Sequence, residues 1–157
     1  LRIEITVNGK AFEVEAPAGE TLVEVLRRLG FKSVKDGCYT GTCGGCTVIL
    51  DDRPVASCIM LAAQADGSCI TTLEGLADGD ELHPVQQAFY EVNAPQCGFC
   101  SPGMMLTAVS LLRRNPEPTI EEIREAIAGN TCRCSGYVKV IEAIELAGKK
   151  MSEGGGR

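Results

Sequence analysis

Hydrophobic and polar positions alternate at the start of the chain. Ile3, Ile5 and Val7 are separated by polar residues, Asn8-Gly9 supplies a two-residue turn, and Phe12, Val14 and Ala16 resume the alternation. This is the pattern of a β-hairpin with one buried face. The period then lengthens. Thr21 and Glu24 form a capping box for a helix carrying Leu22, Val25, Leu26 and Leu29 on one face, with Gly30 placed to stop it. An apolar run at residues 47–50, a turn at Asp51-Asp52, residues 55–57 and a short strand near residues 69–73 complete a small sheet on one helix. Cys69 alternates with Thr71 and Leu73, and reads as a small buried hydrophobe.

Residues 74–81, punctuated by Gly75 and Asp78-Gly79-Asp80, read as a linker. Helical periods follow. Pro84 opens a helix with Val85, Ala88, Phe89 and Val92 on one face, and His83 reads as its entry residue. Met104, Met105, Leu106, Ala108, Val109, Leu111 and Leu112 are apolar almost all round, which predicts a central buried helix ended by Asn115-Pro116-Glu117-Pro118. Thr119 and Glu122 cap a helix carrying Ile120, Ile123 and Ile127 and ending at Gly129. The last helix carries Tyr137, Val140, Ile141, Ile144 and Ala147. Four helices predict a bundle. The expected division is a domain over 1–76, a helical domain over 82–150 and a flexible tail over 151–157.

The chain of 157 residues is 45% hydrophobic and 23% charged, a globular balance. The longest apolar stretch, residues 103–112, is too short to span a membrane and is interrupted by Thr107 and Ser110. A net charge of −6 without a basic patch speaks against a nucleic-acid partner. No signal peptide is visible, so a cytoplasmic setting is expected, with export as a preassembled complex left open because Leu1 is not an initiator methionine.

Nine cysteines are an odd number for a disulfide framework, and their spacing is that of metal ligands. Cys38, Cys43, Cys46 and Cys58 are separated by four, two and eleven residues, the plant-type [2Fe-2S] spacing. Gly37, Gly41, Gly44 and Gly45 let the backbone wrap close to such a cluster. Cys97 with Cys100 and Cys132 with Cys134 form a second set. In an extended segment Cys132 and Cys134 point the same way and would share one iron, leaving Cys97 and Cys100 to the other. Ser101-Pro102 and Ser135-Gly136 would each open a helix just beyond a pair, aiming two positive helix termini at one anionic group. On spacing alone a four-cysteine zinc site is the rival reading. Arg133, between two thiolates, would either offset cluster charge or form an outward ion pair. No catalytic triad, paired catalytic carboxylates, Rossmann fingerprint or P-loop can be assembled, so bond-making chemistry is not expected of this chain.

Residues 37–47 (GCYTGTCGGCT), 96–104 (QCGFCSPGM) and 129–137 (GNTCRCSGY) resemble the small iron-sulfur subunit of the molybdenum hydroxylases. That family includes xanthine dehydrogenases, aldehyde oxidoreductases and aerobic carbon monoxide dehydrogenases. The resemblance extends to about Ala147. It implies an α+β chain, an N-terminal β-grasp plant-type ferredoxin-like domain followed by a four-helix-bundle [2Fe-2S]-binding domain. It also implies an electron relay from a molybdopterin-type Mo cofactor on a large subunit, through two [2Fe-2S] clusters, to FAD on a medium subunit or to another acceptor, in a dimer of heterotrimers. The positions matching Gln96 and Cys134 contact the pterin in that family; an ordinary cap is the alternative reading of Gln96. The chain departs from the usual pattern at Gly45, Ser101, Ser135 and the non-acidic stretch 39–42, which bears on subgroup and potential but touches no ligand. The other readings to be weighed are a free-standing two-cluster ferredoxin and a zinc-structured interaction module.

Overall fold

A computed structural model describes residues 1–134 and 136–154. The first half is a five-stranded mixed sheet packed on one helix, with strands β1 (Arg2–Val7), β2 (Lys10–Glu15), β3 (Thr47–Leu50), β4 (Arg53–Ala56) and β5 (Cys69–Thr71) in the order β2-β1-β5-β3-β4. β1 pairs antiparallel with β2 and parallel with β5, while β3 is antiparallel to both β5 and β4. Both tight turns need left-handed backbone, at Asn8-Gly9 (φ 51° and 78°) and Asp51-Asp52 (φ 44° and 67°), which Asn, Gly and Asp accept most readily. Helix α1 (Leu22–Arg28) lays Leu22, Val23, Val25 and Leu26 on the sheet, against Ile3, Ile5, Val7 and Val48. Glu24 fixes its start by accepting from the Thr21 backbone N–H and hydroxyl, at 2.8 and 2.6 Å.

The second half contains α2 (Pro84–Glu91), α3 (Ser101–Arg114), α4 (Ile120–Ile127) and α5 (Val138–Glu153). Helix α3 is the central one: Met105 apart, every residue from Ser101 to Leu112 is buried. The Thr119 box is reciprocal, Thr119 N–H donating to Glu122 and Glu122 N–H to the Thr119 hydroxyl. His83 enters α2 as expected, its Nδ1 accepting from the Val85 N–H at 3.2 Å.

The two halves share a strand. On β3, Val48 faces α1 whereas Ile49, 2% exposed, belongs to the core of the helical half. Covered on both faces, β3 has the continuous apolar sequence of a buried strand and not an alternating one. At its far end the Ser110 hydroxyl reaches the Asp52 carbonyl and Arg113 pairs with Asp52.

Three local expectations need correction. Cys69 is exposed, because Ile70 takes the inward position on β5 and Cys69 necessarily takes the other face. The last helix begins at Val138, since Gly136 and Tyr137 both have positive φ (64° and 76°) and turn the chain before it can wind. That helix also runs past residue 150 to Glu153, with Met151 buried one turn beyond Ala147. Ser135, expected to open the helix, and residues 155–157 of the expected tail lie outside the described residues.

Candidate metal centre

The N-terminal cysteine loop spans the gap between α1 and β3 and closes on Cys58, just after β4. Backbone N–H groups turn in on sulfur there: Thr40 and Cys43 donate to Cys38 Sγ at 3.4 and 3.5 Å, and Gly45 donates to Cys43 Sγ at 3.4 Å. Hydrogen bonds from the Thr40 hydroxyl and backbone, and from the Cys43 N–H, bring the Cys38 thiol down to about 5. Cys58 goes the other way, to about 11, through burial first and then its contacts with Cys46. Cys46 and Cys58 are buried and Cys38 and Cys43 half-buried, so the site has an inner and an outer pair.

The second set meets between the α2–α3 loop and the segment after α4. Cys100, at the mouth of α3, is pushed up to about 12 by burial and then by the Cys132 side chain beside it. Cys97 is lowered, chiefly by the Phe99 N–H and next by Cys134. The contacts therefore run crosswise, Cys100 with Cys132 and Cys97 with Cys134. The two segments face each other across the site, so in the free protein each thiol has its nearest cysteine partner on the opposite segment and not on its own. Helix α3 begins at this site, with Cys100 as its N-cap residue. On the other side the Tyr137 hydroxyl accepts from the Cys132 N–H at 3.0 Å.

These donor sets fit an anionic, thiolate-bound two-metal cluster. Among the described residues no three His, Cys, Asp or Glu side chains close on one ion-sized point, as a mononuclear site requires, and no two cysteines form a disulfide. The thiols stand in pairs, with N–H groups directed at sulfur.

The two loops are locked together. Asn130, 4% exposed, donates from Nδ2 to the Gly44 carbonyl (3.1 Å) and the Thr47 hydroxyl (3.3 Å), and its Oδ1 accepts from the Thr107 hydroxyl (3.0 Å). The next residue, Thr131, donates its N–H to the Cys43 carbonyl at 2.8 Å. Gly44 (φ 70°) is wedged so closely that a Cβ on it would stand 2.3 Å from the Gly129 carbonyl. Phe99, between Cys97 and Cys100, lies over the first loop, its ring 3.3 to 3.5 Å from where side chains at Gly45 and Gly37 would begin. Gly41 (φ 73°) is closed over by Ile59. Gln96, Arg133 and Cys134 are exposed. The sequence alone assigns Phe99 and Asn130 no separate role and reads Tyr137 only as a residue of the last helix. The one available signal was a polar asparagine two residues ahead of a cysteine pair, which burial alone makes meaningful.

Comparison with known proteins agrees with this geometry. Residues 5–80 match the 2Fe-2S iron-sulfur cluster binding domain family, and residues 72–145 match the [2Fe-2S] binding domain family. The nicotinate dehydrogenase small FeS subunit of Eubacterium barkeri is 48% identical over 94% of each chain. The crystal structure of quinoline 2-oxidoreductase from Pseudomonas putida 86 superposes with a TM-score of 0.93 at 41% identity, covering 98% of this chain and 97% of that one. Aldehyde oxidoreductase from Desulfovibrio gigas gives the same TM-score at 39% identity, over 98% of this chain but 17% of the other. The fold and both sites thus define a two-domain [2Fe-2S] protein. More particularly, the chain belongs to the family of small iron-sulfur subunits of the molybdenum hydroxylases, the electron-transfer parts of oxidoreductases. Relatives that are themselves enzyme subunits do not favour the free-standing ferredoxin reading.

Proposed function

We propose that Cys38, Cys43, Cys46 and Cys58 ligate one [2Fe-2S] cluster and Cys97, Cys100, Cys132 and Cys134 a second, in a chain that relays electrons within a molybdenum hydroxylase. The observation that carries this reading is the gathering of eight cysteines into two four-thiol sites whose loops are bonded to each other through Asn130 and Thr131. Bound there, the clusters supply one-electron redox chemistry. The chain's part is to hold and tune them. Backbone N–H groups at residues 40, 43 and 45 stabilise negative charge on sulfur, and the glycines at 41, 44 and 45 let the backbone approach.

The exposure of the second site's outer pair, Cys97 and Cys134, beside exposed Gln96, supports placing the large molybdopterin-binding subunit on that face, with Gln96 and Cys134 contacting the pterin. Around the first site Tyr39, Ile59 and Leu61 leave an exposed apolar rim, 42 to 62% accessible, which suits a medium FAD-binding subunit or another acceptor. The shared strand β3 keeps these faces at a fixed separation. The division into cluster-bearing domains over 1–76 and 82–150, assembly as a dimer of heterotrimers and a cytoplasmic setting belong to the same proposal. Among the described residues no helix is long and apolar enough to cross a membrane.

Purification from the native host tests the assembly. The proposal expects molybdenum and flavin to co-elute with this chain in constant ratio through gel filtration. An iron-loaded monomer eluting free of both would replace the subunit by a stand-alone ferredoxin.

A further inference from the structure

The Gly44 carbonyl and the Gly45 N–H belong to one planar peptide unit. Its N–H donates to Cys43 Sγ at 3.4 Å. Its oxygen accepts three hydrogen bonds: from the Thr47 N–H (3.2 Å), the Thr47 hydroxyl (2.7 Å) and Asn130 Nδ2 (3.1 Å). Two of these donors are local to the loop. The third comes from the helical half, 86 residues away in sequence.

We infer that Asn130 is a positioning residue for the N-terminal cluster site, acting through the Gly44–Gly45 peptide to aim and strengthen the N–H that serves the Cys43 sulfur. The inference rests on the proposed [2Fe-2S] ligation and adds that the helical half sets the reduction potential of the site in the sheet half. The physical basis has two parts. A donor on the carbonyl polarises the amide and makes its N–H a stronger donor, because hydrogen bonds in a chain reinforce one another at low dielectric. A carbonyl fixed by a buried side chain also prevents the plane from rotating its N–H away from sulfur. Asn130 is itself fixed: Thr107, buried in α3, holds Oδ1, and the Asn130 N–H donates to the Ile127 carbonyl at 2.8 Å. Its amide thus has the one orientation in which Nδ2 faces Gly44. An N–H bond to a ligand sulfur favours the more negative, reduced state, so weakening it lowers the potential.

The test is EPR-monitored potentiometry of the cluster-loaded complex, comparing the natural protein with Asn130→Ala and Thr107→Val. The first removes the donor; the second is nearly isosteric and releases only the side chain that orients it. The signal of the N-terminal site is the one altered by Cys38→Ser. The expected result is a shift of that signal alone to more negative potential. For Asn130→Ala the shift should correspond to about a tenfold change in the electron-sharing equilibrium between the two sites, equal to about 59 mV for a one-electron couple. Thr107→Val should move it less, in the same direction. A merely structural role would lower thermal stability and leave both potentials in place; that outcome, or equal shifts in both signals, overturns the inference. If Asn130→Ala fails to accumulate, Thr107→Val decides alone. Absence of [2Fe-2S] signals from the natural protein would instead remove the underlying ligation proposal, so the two failures are distinguishable.

Discussion

Gly103→Ala sets two effects of opposite sign against each other. Gly103 lies in the first turn of α3, where alanine is the better helix former by about 1 kcal/mol. Helix propensity alone therefore predicts a more stable protein. The structure predicts the reverse. A Cβ on Gly103 would stand 2.3 Å from the Gly44 carbonyl oxygen and 3.2 Å from Asn130 Nδ2. Ordinary contact needs about 1 Å more, and the obstacle is backbone, so no rotamer change relieves it. Nor is Gly44 free to retreat, since its oxygen is held by Thr47 and Asn130 and its other side meets Gly129. Overpacking of this kind costs about 1–3 kcal/mol, and loosening one of the buried hydrogen bonds adds about 1 kcal/mol. Net of the helix gain, the loss is roughly 1–3 kcal/mol, or about 3–10 °C in Tm for a chain of this size. The assay is thermal unfolding of the cluster-loaded protein by circular dichroism. Gly129→Ala is the control, because a Cβ there meets nothing within 4 Å and its φ is ordinary; it should leave Tm unchanged or raise it slightly. A Gly103→Ala protein as stable as, or more stable than, the natural one would refute the close approach of α3 to the first cysteine loop.

Other substitutions probe separate features. Glu122 is held below its ordinary 4.5 by hydrogen bonds from Thr119, so its contribution is present above that value and lost as pH falls through the lowered one. Glu122→Gln should therefore be less stable than the natural protein at pH 7, and that disadvantage should shrink progressively as pH falls below about 4.5; an unchanged gap in acid, followed by denaturant melts, would contradict the cap. Tyr137→Phe removes the acceptor of the Cys132 N–H and should cost about 1 kcal/mol while perturbing only the EPR signal of the second site. Cys69→Ser alters an exposed thiol outside both sets, and should leave iron content and spectra unchanged, whereas Cys100→Ser should lose the second site's signal; the reverse pattern would undo the assignment of ligands.

Local patterns carried much of this fold, and long-range contacts carried what the patterns could not. The hairpin at Asn8-Gly9, the box at Thr119 and Glu122 and the burial of α3 follow from residues within one or two turns of each other, which is why they were legible. The parity of β5 was not, because alternation says that Cys69 and Ile70 face apart but not which of them faces the core. Ile49 belongs to the helical core only because α3 covers the back of β3, a fact of tertiary packing. The grouping of the cysteines into two sets follows from spacing, but which thiols touch does not: Cys97 meets Cys134 because two segments oppose one another. Asn130 shows the same limit most sharply. Next to a cysteine pair it reads as an ordinary turn residue, and only the loop 86 positions earlier makes it a clamp.

The most direct test of the two-cluster relay is the visible and EPR spectrum of the purified protein before and after dithionite, with iron and zinc quantified on the same sample. The account predicts a brown protein with about four irons per chain and two distinct reduced-state signals. A colourless protein containing zinc and giving no signal on reduction would contradict it.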